Sequence, residues 1–288
     1  MIIGHQKQWE FLKFLVKIKK IPHALLFVGP EKIGKKTLAL EFASLILKQS
    51  LWGHPDFVFL EPINGEIKIS QIRELILRLS LKKSSAPFKI VIIDNAHLMN
   101  FQAQNCFLKT LEEPKGESVL ILITSFLSRL LPTIVSRCQI MKFYPLSKRE
   151  IKEALLQKGV EEDLSEKLAG ISLGCPGMVF ELVSNHEEMQ KFKKAIKELL
   201  EILNSDLKEK FDYAKKISQE PQEILKIWLL YLRTLLSEKL EGKEPKAFHN
   251  FSLKEIVNII EFIEETYFLI TFQNLNKRLA LENLMLKI

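Results

Sequence analysis

The chain has 288 residues, 47% of them hydrophobic and 27% charged, and a formal net charge of +7. This composition excludes large-scale disorder, and 11 Gly and 11 Pro exclude a collagen-like or low-complexity chain. Three Cys are too few for a disulfide framework or an all-Cys zinc site, and the positive charge permits an anionic partner without requiring one.

The first residues, Met1 to Gln8, lack the basic and apolar regions of a secretory signal. No apolar run reaches the roughly 18 residues of a membrane span, so a cytoplasmic chain with reduced thiols and no membrane contact is expected. Trp9 to Ile18 carries apolar residues at helical spacing. Ala24–Val28 reads as a buried strand ending at Gly29-Pro30, followed by an amphipathic helix over Lys36–Lys48. Phe57–Leu60 is a second strand, closed by Pro62 and Asn64-Gly65. Ser70 is placed as the N-cap of a helix reaching about Leu81. Ile90–Ile93, Val119–Ile123 and Ile140–Phe143 are further strands, and a helix from Asn100 to Leu111 stops before Pro114. Strands alternating with helices imply βαβ units and a mostly parallel α/β sheet.

After Tyr144-Pro145 the strand signals cease. Ser147-Lys148-Arg149-Glu150 fits a capping box. Short helices follow at about Leu164–Ile171 and from Met178, on either side of Gly174-Cys175-Pro176-Gly177. From Glu187 onward long Lys/Glu-rich helices dominate, with Leu229, Leu232 and Phe268 among residues assigned mostly to their core. The boundaries therefore fall near 144 and 185, giving domains 1–144, 145–185 and 186–288.

Gly29-Pro30-Glu31-Lys32-Ile33-Gly34-Lys35-Lys36-Thr37 lies between a strand and a helix, the setting of a P-loop. Gly29 and Gly34 would let backbone N–H groups approach phosphate, and Lys35 would reach the outer phosphates. Lys36, however, stands where a Ser or Thr hydroxyl would ligate Mg²⁺, and an ammonium cannot ligate a cation. Thr37 is one residue late, about 100° further round the helix. Lys32 replaces a frequent glycine. Asp94, at the end of an Ile-rich strand, stands where a carboxylate holds Mg²⁺ through water. Asn95 follows it where a hydrolytic enzyme of this type carries Glu, and an amide cannot act as a base. Gly29, Gly34, Lys35, Thr37 and Asp94 are thus the candidates for a degenerate phosphate site that does not hydrolyse. Residual ATP or ADP binding stays open.

A wider set of segments then carries a resemblance. These are Ile93-Asp94-Asn95-Ala96-His97-Leu98-Met99-Asn100, Gln102-Ala103-Gln104-Asn105, Leu108-Lys109-Thr110-Leu111-Glu112-Glu113-Pro114, Ile123-Thr124-Ser125 and Ser128-Arg129-Leu130-Leu131-Pro132-Thr133-Ile134-Val135-Ser136-Arg137-Cys138. With His54-Pro55-Asp56 and Gln71-Ile72-Arg73, they resemble the bacterial clamp-loader branch of the AAA+ ATPases. The likeness is dense over 1–145, and Asn274 to Glu282 resembles the end of such subunits. It implies a RecA-like AAA+ domain with a mostly parallel sheet, a small helical lid and an all-α collar that joins subunits into a ring. It also implies a DNA polymerase III clamp-loader subunit in DNA replication, of the comparatively rigid kind that generally does not hydrolyse ATP. The implied partners are the gamma/tau motor subunits, the delta subunit, the sliding clamp and, in the assembled complex, primer–template DNA.

The same resemblance makes Arg137 an arginine finger acting in trans on a neighbour's ATP, its planar fork facing the γ-phosphate. The family's frequent four-Cys module is missing between Ser44 and Pro55, so no zinc is expected and no metal site is assigned. Thr124 or Ser125 falls in the sensor-1 region, and Gly174 to Met178 lacks the nucleotide-touching Arg of the motors. This reading requires no cofactor. Two alternatives are an active gamma/tau-like motor in which Thr37 replaces the lost hydroxyl, and a stand-alone DNA-binding module using Lys17–Lys20, Lys82-Lys83, Lys191–Lys194 and Lys208–Lys216.

Overall fold

The computed structural model describes residues 2–84, 86–113, 116–240, 242, 251–272 and 275–288. Pro114, expected to stop a helix, and Asn274, in the C-terminal segment of family resemblance, lie outside the described residues. The chain forms two compact units, 1–154 with 174–177, and 155–173 with 178–288. The segment 145–185 is shared between them.

In the first unit, β1 (Ala24–Val28), β2 (Phe57–Leu60), β3 (Lys89–Ile93), β4 (Ser118–Thr124) and β5 (Gln139–Lys142) form one sheet in the order β2-β3-β4-β1-β5. All neighbouring strands are parallel, with Leu26 opposite Leu122 and Val91 opposite Leu120. The central strands are buried on both faces, so they read as unbroken apolar runs instead of alternating ones. Leu25, Phe27, Ile90, Ile92 and Ile121 share a core with residues of α1 (Gln6–Lys17) and α2 (Lys35–Leu47). Leu26, Val91, Ile93, Leu120 and Leu122 share the opposite core with residues of α3 (Ile69–Ser80) and α4 (Phe101–Glu112). Each large side chain buried there, Phe42 and Phe107 among them, contributes about 1.5–3 kcal/mol. This parallel arrangement brings Gly29, Asp94 and Ser125 together at the carboxyl ends of β1, β3 and β4, where open parallel sheets place their ligand sites.

Local hydrogen bonds set the helix starts. Asn100 caps α4 by accepting the Ala103 N–H at 2.8 Å. Ser70 is not a cap: α3 begins at Ile69, because the Gln71 side chain accepts the Lys68 N–H at 3.0 Å and satisfies the chain one turn earlier. The Ser147 box forms as expected, with Ser147 N–H on Glu150 Oε2 at 2.9 Å and Glu150 N–H on Ser147 Oγ at 3.2 Å. It opens α6 (Lys148–Gln157). Asp56 is buried and accepts the N–H groups of Ser84 and Ala86, which fixes the loop before β3.

Helices α7 (Glu162–Ile171), α8 (Pro176–Ser184), α9 (His186–Leu203), α10 (Leu207–Ile217), α11 (Pro221–Leu240), α12 (Leu253–Phe272) and α13 (Lys277–Lys287) complete the chain. The core of the second unit gathers Leu199, Trp228, Leu232, Ile256, Ile263 and Leu281. The Trp228 Nε1–H donates to Ala195 O at 2.9 Å, and Tyr213 stacks on its ring at 5.8 Å. Leu229 and Leu232 are buried as expected, but Phe268 is 52% exposed. It lies about 140° round α12 from the buried Ile263. Among the described residues no strand follows β5, and no helix is long and apolar enough to cross a membrane.

Candidate functional site

The loop between β1 and α2 is shaped by its backbone. A Cβ on Gly29 would lie 2.5 Å from the Phe143 carbonyl oxygen, so only glycine fits there. Gly34 (φ 107) turns the chain into α2, and Lys32 takes the left-handed conformation (φ 57) that glycine would hold at less cost. Lys35 is buried, and its ammonium donates to Gly29 O (2.6 Å), Pro30 O (2.5 Å) and Ser125 Oγ (3.2 Å). All three of its hydrogens are therefore used inside the chain. Burial lowers its pKa from 10.5 to about 8, against the opposing charges of Glu31 and Asp94.

Ser125, and not Thr124, faces this lysine. Thr124 is fully buried; its hydroxyl accepts the Phe126 N–H at 3.1 Å and is hydrogen-bonded to His97 Nδ1 at 3.3 Å. The His97 ring packs edge-on against Phe126 at 5.1 Å, and burial lowers its pKa.

Lys36 occupies the more telling position. Its Nζ lies 3.3 Å from Asp94 Oδ2 and 3.5 Å from Glu61 Oε2, and 4.7 Å from the centre of the Phe59 ring. A cation of the chain itself thus meets the carboxylate that would hold Mg²⁺. Thr37 is exposed, and it is Lys36 that meets Asp94. Asn95 adopts the left-handed conformation (φ 50, ψ 47), which Asn tolerates better than Glu, and its N–H donates to Asp94 Oδ1 at 3.0 Å. The residues present do not fit the Mg²⁺-ATP that the fold implies: the metal-ligating hydroxyl is an ammonium, its carboxylate is paired, and the base is an amide.

The chain also closes on this loop from two sides. The Gly177 N–H donates to Lys32 O at 2.8 Å, and a Cβ on Gly177 would come within 2.6 Å of that oxygen. The segment that lacks the motors' Arg therefore has no room for a side chain at this point. On the other side His5, at φ 54, donates its Nε2–H to Ile33 O at 3.0 Å and packs against Phe143. Burial lowers the His5 pKa, which favours the neutral ring.

Arg137 stands apart from this loop. Gln104 is buried; its Nε2 donates to Met99 O (3.0 Å) and Arg129 O (3.1 Å), and its Oε1 accepts the Leu131 N–H (2.8 Å). One side chain of α4 thereby pins the segment leading into α5 (Pro132–Val135). Arg137 follows α5. Its Nη1 donates to Thr133 O at 2.9 Å, and its Nη2 to Glu112 Oε1 at 2.5 Å. The neighbouring Cys138 has its pKa pushed up to about 12 by burial, which makes it an unreactive thiol.

The family described as "DNA polymerase III, delta subunit" matches residues 4–147. The DNA polymerase III subunit delta' of Bacillus subtilis is 30% identical over 253 residues, which is 80% of this chain and 76% of that protein. The chain belongs to the delta-prime family of DNA polymerase III subunits. The subunit delta' of Pseudomonas aeruginosa is 34% identical over 176 residues, 54% of this chain and 53% of that one. A solved DNA polymerase III gamma subunit-related protein from Thermotoga maritima aligns over 96% of this chain and 97% of its own, at 21% identity and a TM-score of 0.55. That likeness shows the shared fold, a parallel-sheet α/β domain followed by helices.

Of the residues proposed for the phosphate site, the delta-prime fold brings Gly29, Gly34, Lys35 and Asp94 around one loop and leaves Thr37 on its exposed side. Cys106, Cys138 and Cys175 are free thiols. In the stretch after α2, Trp52 is exposed and meets Phe57 and Phe59 edge-on at 5.9 and 5.8 Å. Three residues of the site escape sequence reasoning: His5, Ser125 as the partner of Lys35, and Gln104 as the clamp on the Arg137 segment. Ser125 carried a signal as one of the two sensor-1 candidates, and Gln104 as a glutamine on the face of α4 that also buries Ala103, Phe107 and Leu111; His5 carried none.

Proposed function

We propose that this chain is a clamp-loader subunit of DNA polymerase III, acting in DNA replication, that does not hydrolyse ATP and instead sets Arg137 against the ATP of a neighbouring subunit. The observation that carries the first part is the Lys36–Asp94 contact at 3.3 Å, which leaves Asp94 no metal to hold. The second part is supported by the partly exposed side chain of Arg137, whose partners are Thr133 and Glu112 and not its own phosphate loop. A guanidinium presented to a γ-phosphate stabilises the charge that develops during phosphoryl transfer, and supplying it from outside ties hydrolysis to subunit contact.

The partners in this reading are the gamma/tau motors, the delta subunit, the sliding clamp and primer–template DNA, met in the cytoplasm by the assembled complex. The contacts of Lys35 and Lys36 within the chain support a subunit that requires no resident nucleotide or metal. The motor alternative needs Thr37 to take the place beside Asp94, and the side chain that meets Asp94 is Lys36. The stand-alone DNA-binding alternative is weakened by Lys191 and Lys216, whose ammonium groups pair with Glu188 and Glu198. The test is reconstitution. The purified chain alone has negligible ATPase activity, and adding it to motor and delta subunits restores clamp- and DNA-stimulated hydrolysis. Turnover by the isolated chain, lost in Lys35→Ala, would instead favour the motor.

A further inference from the structure

Arg137 has both terminal nitrogens engaged, and the two bonds differ in kind. The acceptor on Nη1 is Thr133 O, a backbone carbonyl four residues back on the arginine's own segment. The acceptor on Nη2 is Glu112, the last residue of α4, a separate element. The paired Nη edge of a guanidinium binds carboxylate and phosphate oxygens in the same geometry. A phosphate arriving at Arg137 and the Glu112 carboxylate therefore compete for the same hydrogens. The two side chains are 34% and 48% exposed, which places the pair among weak and exchangeable surface contacts. The backbone beneath is held much more firmly, since Gln104 on the same helix α4 bonds both Arg129 O and the Leu131 N–H. The movable part of this construction is the guanidinium alone.

We propose that Glu112 is a latch for Arg137. It holds the guanidinium in the free chain and yields it to the terminal phosphate of a neighbour's nucleotide. This rests on the reading of Arg137 as a trans-acting arginine. A terminal phosphate carries more charge than one carboxylate and displaces it. A neighbour holding a diphosphate offers no γ-phosphate at the position Arg137 reaches, and Arg137 returns to Glu112. The latch thus makes the contact sensitive to the neighbour's nucleotide state. Glu112 touches no reacting atom and is a positioning residue.

The test uses the reconstituted loader carrying wild-type, Glu112→Gln, Arg137→Ala or doubly substituted subunit, with DNA-stimulated hydrolysis followed against ATP concentration at low and high salt. Glu112→Gln lowers the KM for ATP by about two- to fivefold with kcat unchanged. The gap between it and wild type narrows as salt rises, because the released pair is exposed. Arg137→Ala loses most of the stimulated rate, and the double variant matches it. A merely structural role for Glu112 would move kcat and KM together and would not respond to salt in this way. An unchanged or raised KM in Glu112→Gln, with Arg137→Ala still defective, overturns the latch and leaves the finger standing. An Arg137→Ala loader with the full wild-type rate overturns the finger itself. Side-chain nitrogen NMR of the full free chain gives an independent reading. Rotation of the Arg137 guanidinium is hindered in wild type and released in Glu112→Gln, and free rotation in wild type would overturn the latch whatever the loader does.

Discussion

The Lys36 ammonium lies 3.3 Å from the Asp94 carboxylate, at the place where a nucleotide-hydrolysing relative would hold its metal. The side chains are 47% and 13% exposed, so the pair contributes no more than about 1 kcal/mol to stability. Its effect is on the chemistry, because a metal would have to displace the ammonium from its anchor. Lys36→Thr frees Asp94 and restores a hydroxyl beside it. A fluorescent ATP analogue titrated with and without Mg²⁺ then shows metal-dependent binding in the variant and none in wild type. Turnover stays absent, because Asn95 supplies no base. Equal metal-dependent binding by both proteins would contradict the tethered-cation account.

Gly177 is the second point of closure. Its absent Cβ would meet Lys32 O at 2.6 Å, and the Lys32 atoms in its way belong to backbone, which gives way poorly. Gly177→Ala is expected to destabilise the protein by about 1–3 kcal/mol in urea unfolding. Gly170→Ala is the control, because its Cβ would find its nearest neighbour at 3.7 Å and the position lies within a helix. That substitution is neutral, or stabilises by roughly 0.5–1 kcal/mol. Equal effects at the two positions would remove the argument for a tight seat on the loop.

Gln104 satisfies two carbonyls and one N–H with a single buried amide. Gln104→Ala leaves all three unpaired and costs about 1–3 kcal/mol. Gln104→Glu keeps the acceptor for Leu131 but turns a carboxylate oxygen toward the Met99 and Arg129 carbonyls. It is therefore expected to be at least as damaging at neutral pH as Ala, and less so in acid, where the protonated acid can donate. Comparing urea midpoints of the three proteins at pH 5 and pH 8 checks this order.

Lys35 gives the stability a signature in alkali. Its pKa is lowered from 10.5 in an open chain to about 8 in the fold, chiefly by burial. Between those values the unfolded chain holds a proton that the folded chain has released, so stability rises with pH through that window. The burial cost is present in full below about pH 8. Relative to Lys35→Met, wild type should gain on the order of 1–2 kcal/mol between pH 7.5 and 10.5. A difference that stays flat with pH would mean that the ammonium is not buried as described.

The fold was legible where burial dictates composition. β1, β3 and β4 are covered on both faces, so their residues form apolar runs that pattern alone recovers. The boundary of α3 was not legible, because a side chain of the helix itself, Gln71, moves its start to Ile69. At the site, the loss of the metal-ligating hydroxyl could be read from Lys36, but the destination of its ammonium could not. Asp94 and Glu61 are brought to it only by the order of the strands. The choice between Thr124 and Ser125 turned on the end of β4, where one residue separates opposite faces of the sheet. His5 was invisible, since nothing in the pattern marks a residue in the left-handed conformation ahead of α1. Arg137 was identified through its neighbours in sequence, while its intrachain partner Glu112 came only from the packing of α4 against α5.

The most direct test of the central claim is the DNA-stimulated ATPase rate of a loader reconstituted with Arg137→Ala in an otherwise wild-type chain, the motor subunits being unaltered. The account predicts that the altered subunit assembles as wild type does and that the rate attributable to the neighbouring site falls by about 10³-fold or more. An assembled loader whose hydrolysis is unchanged by Arg137→Ala would contradict it.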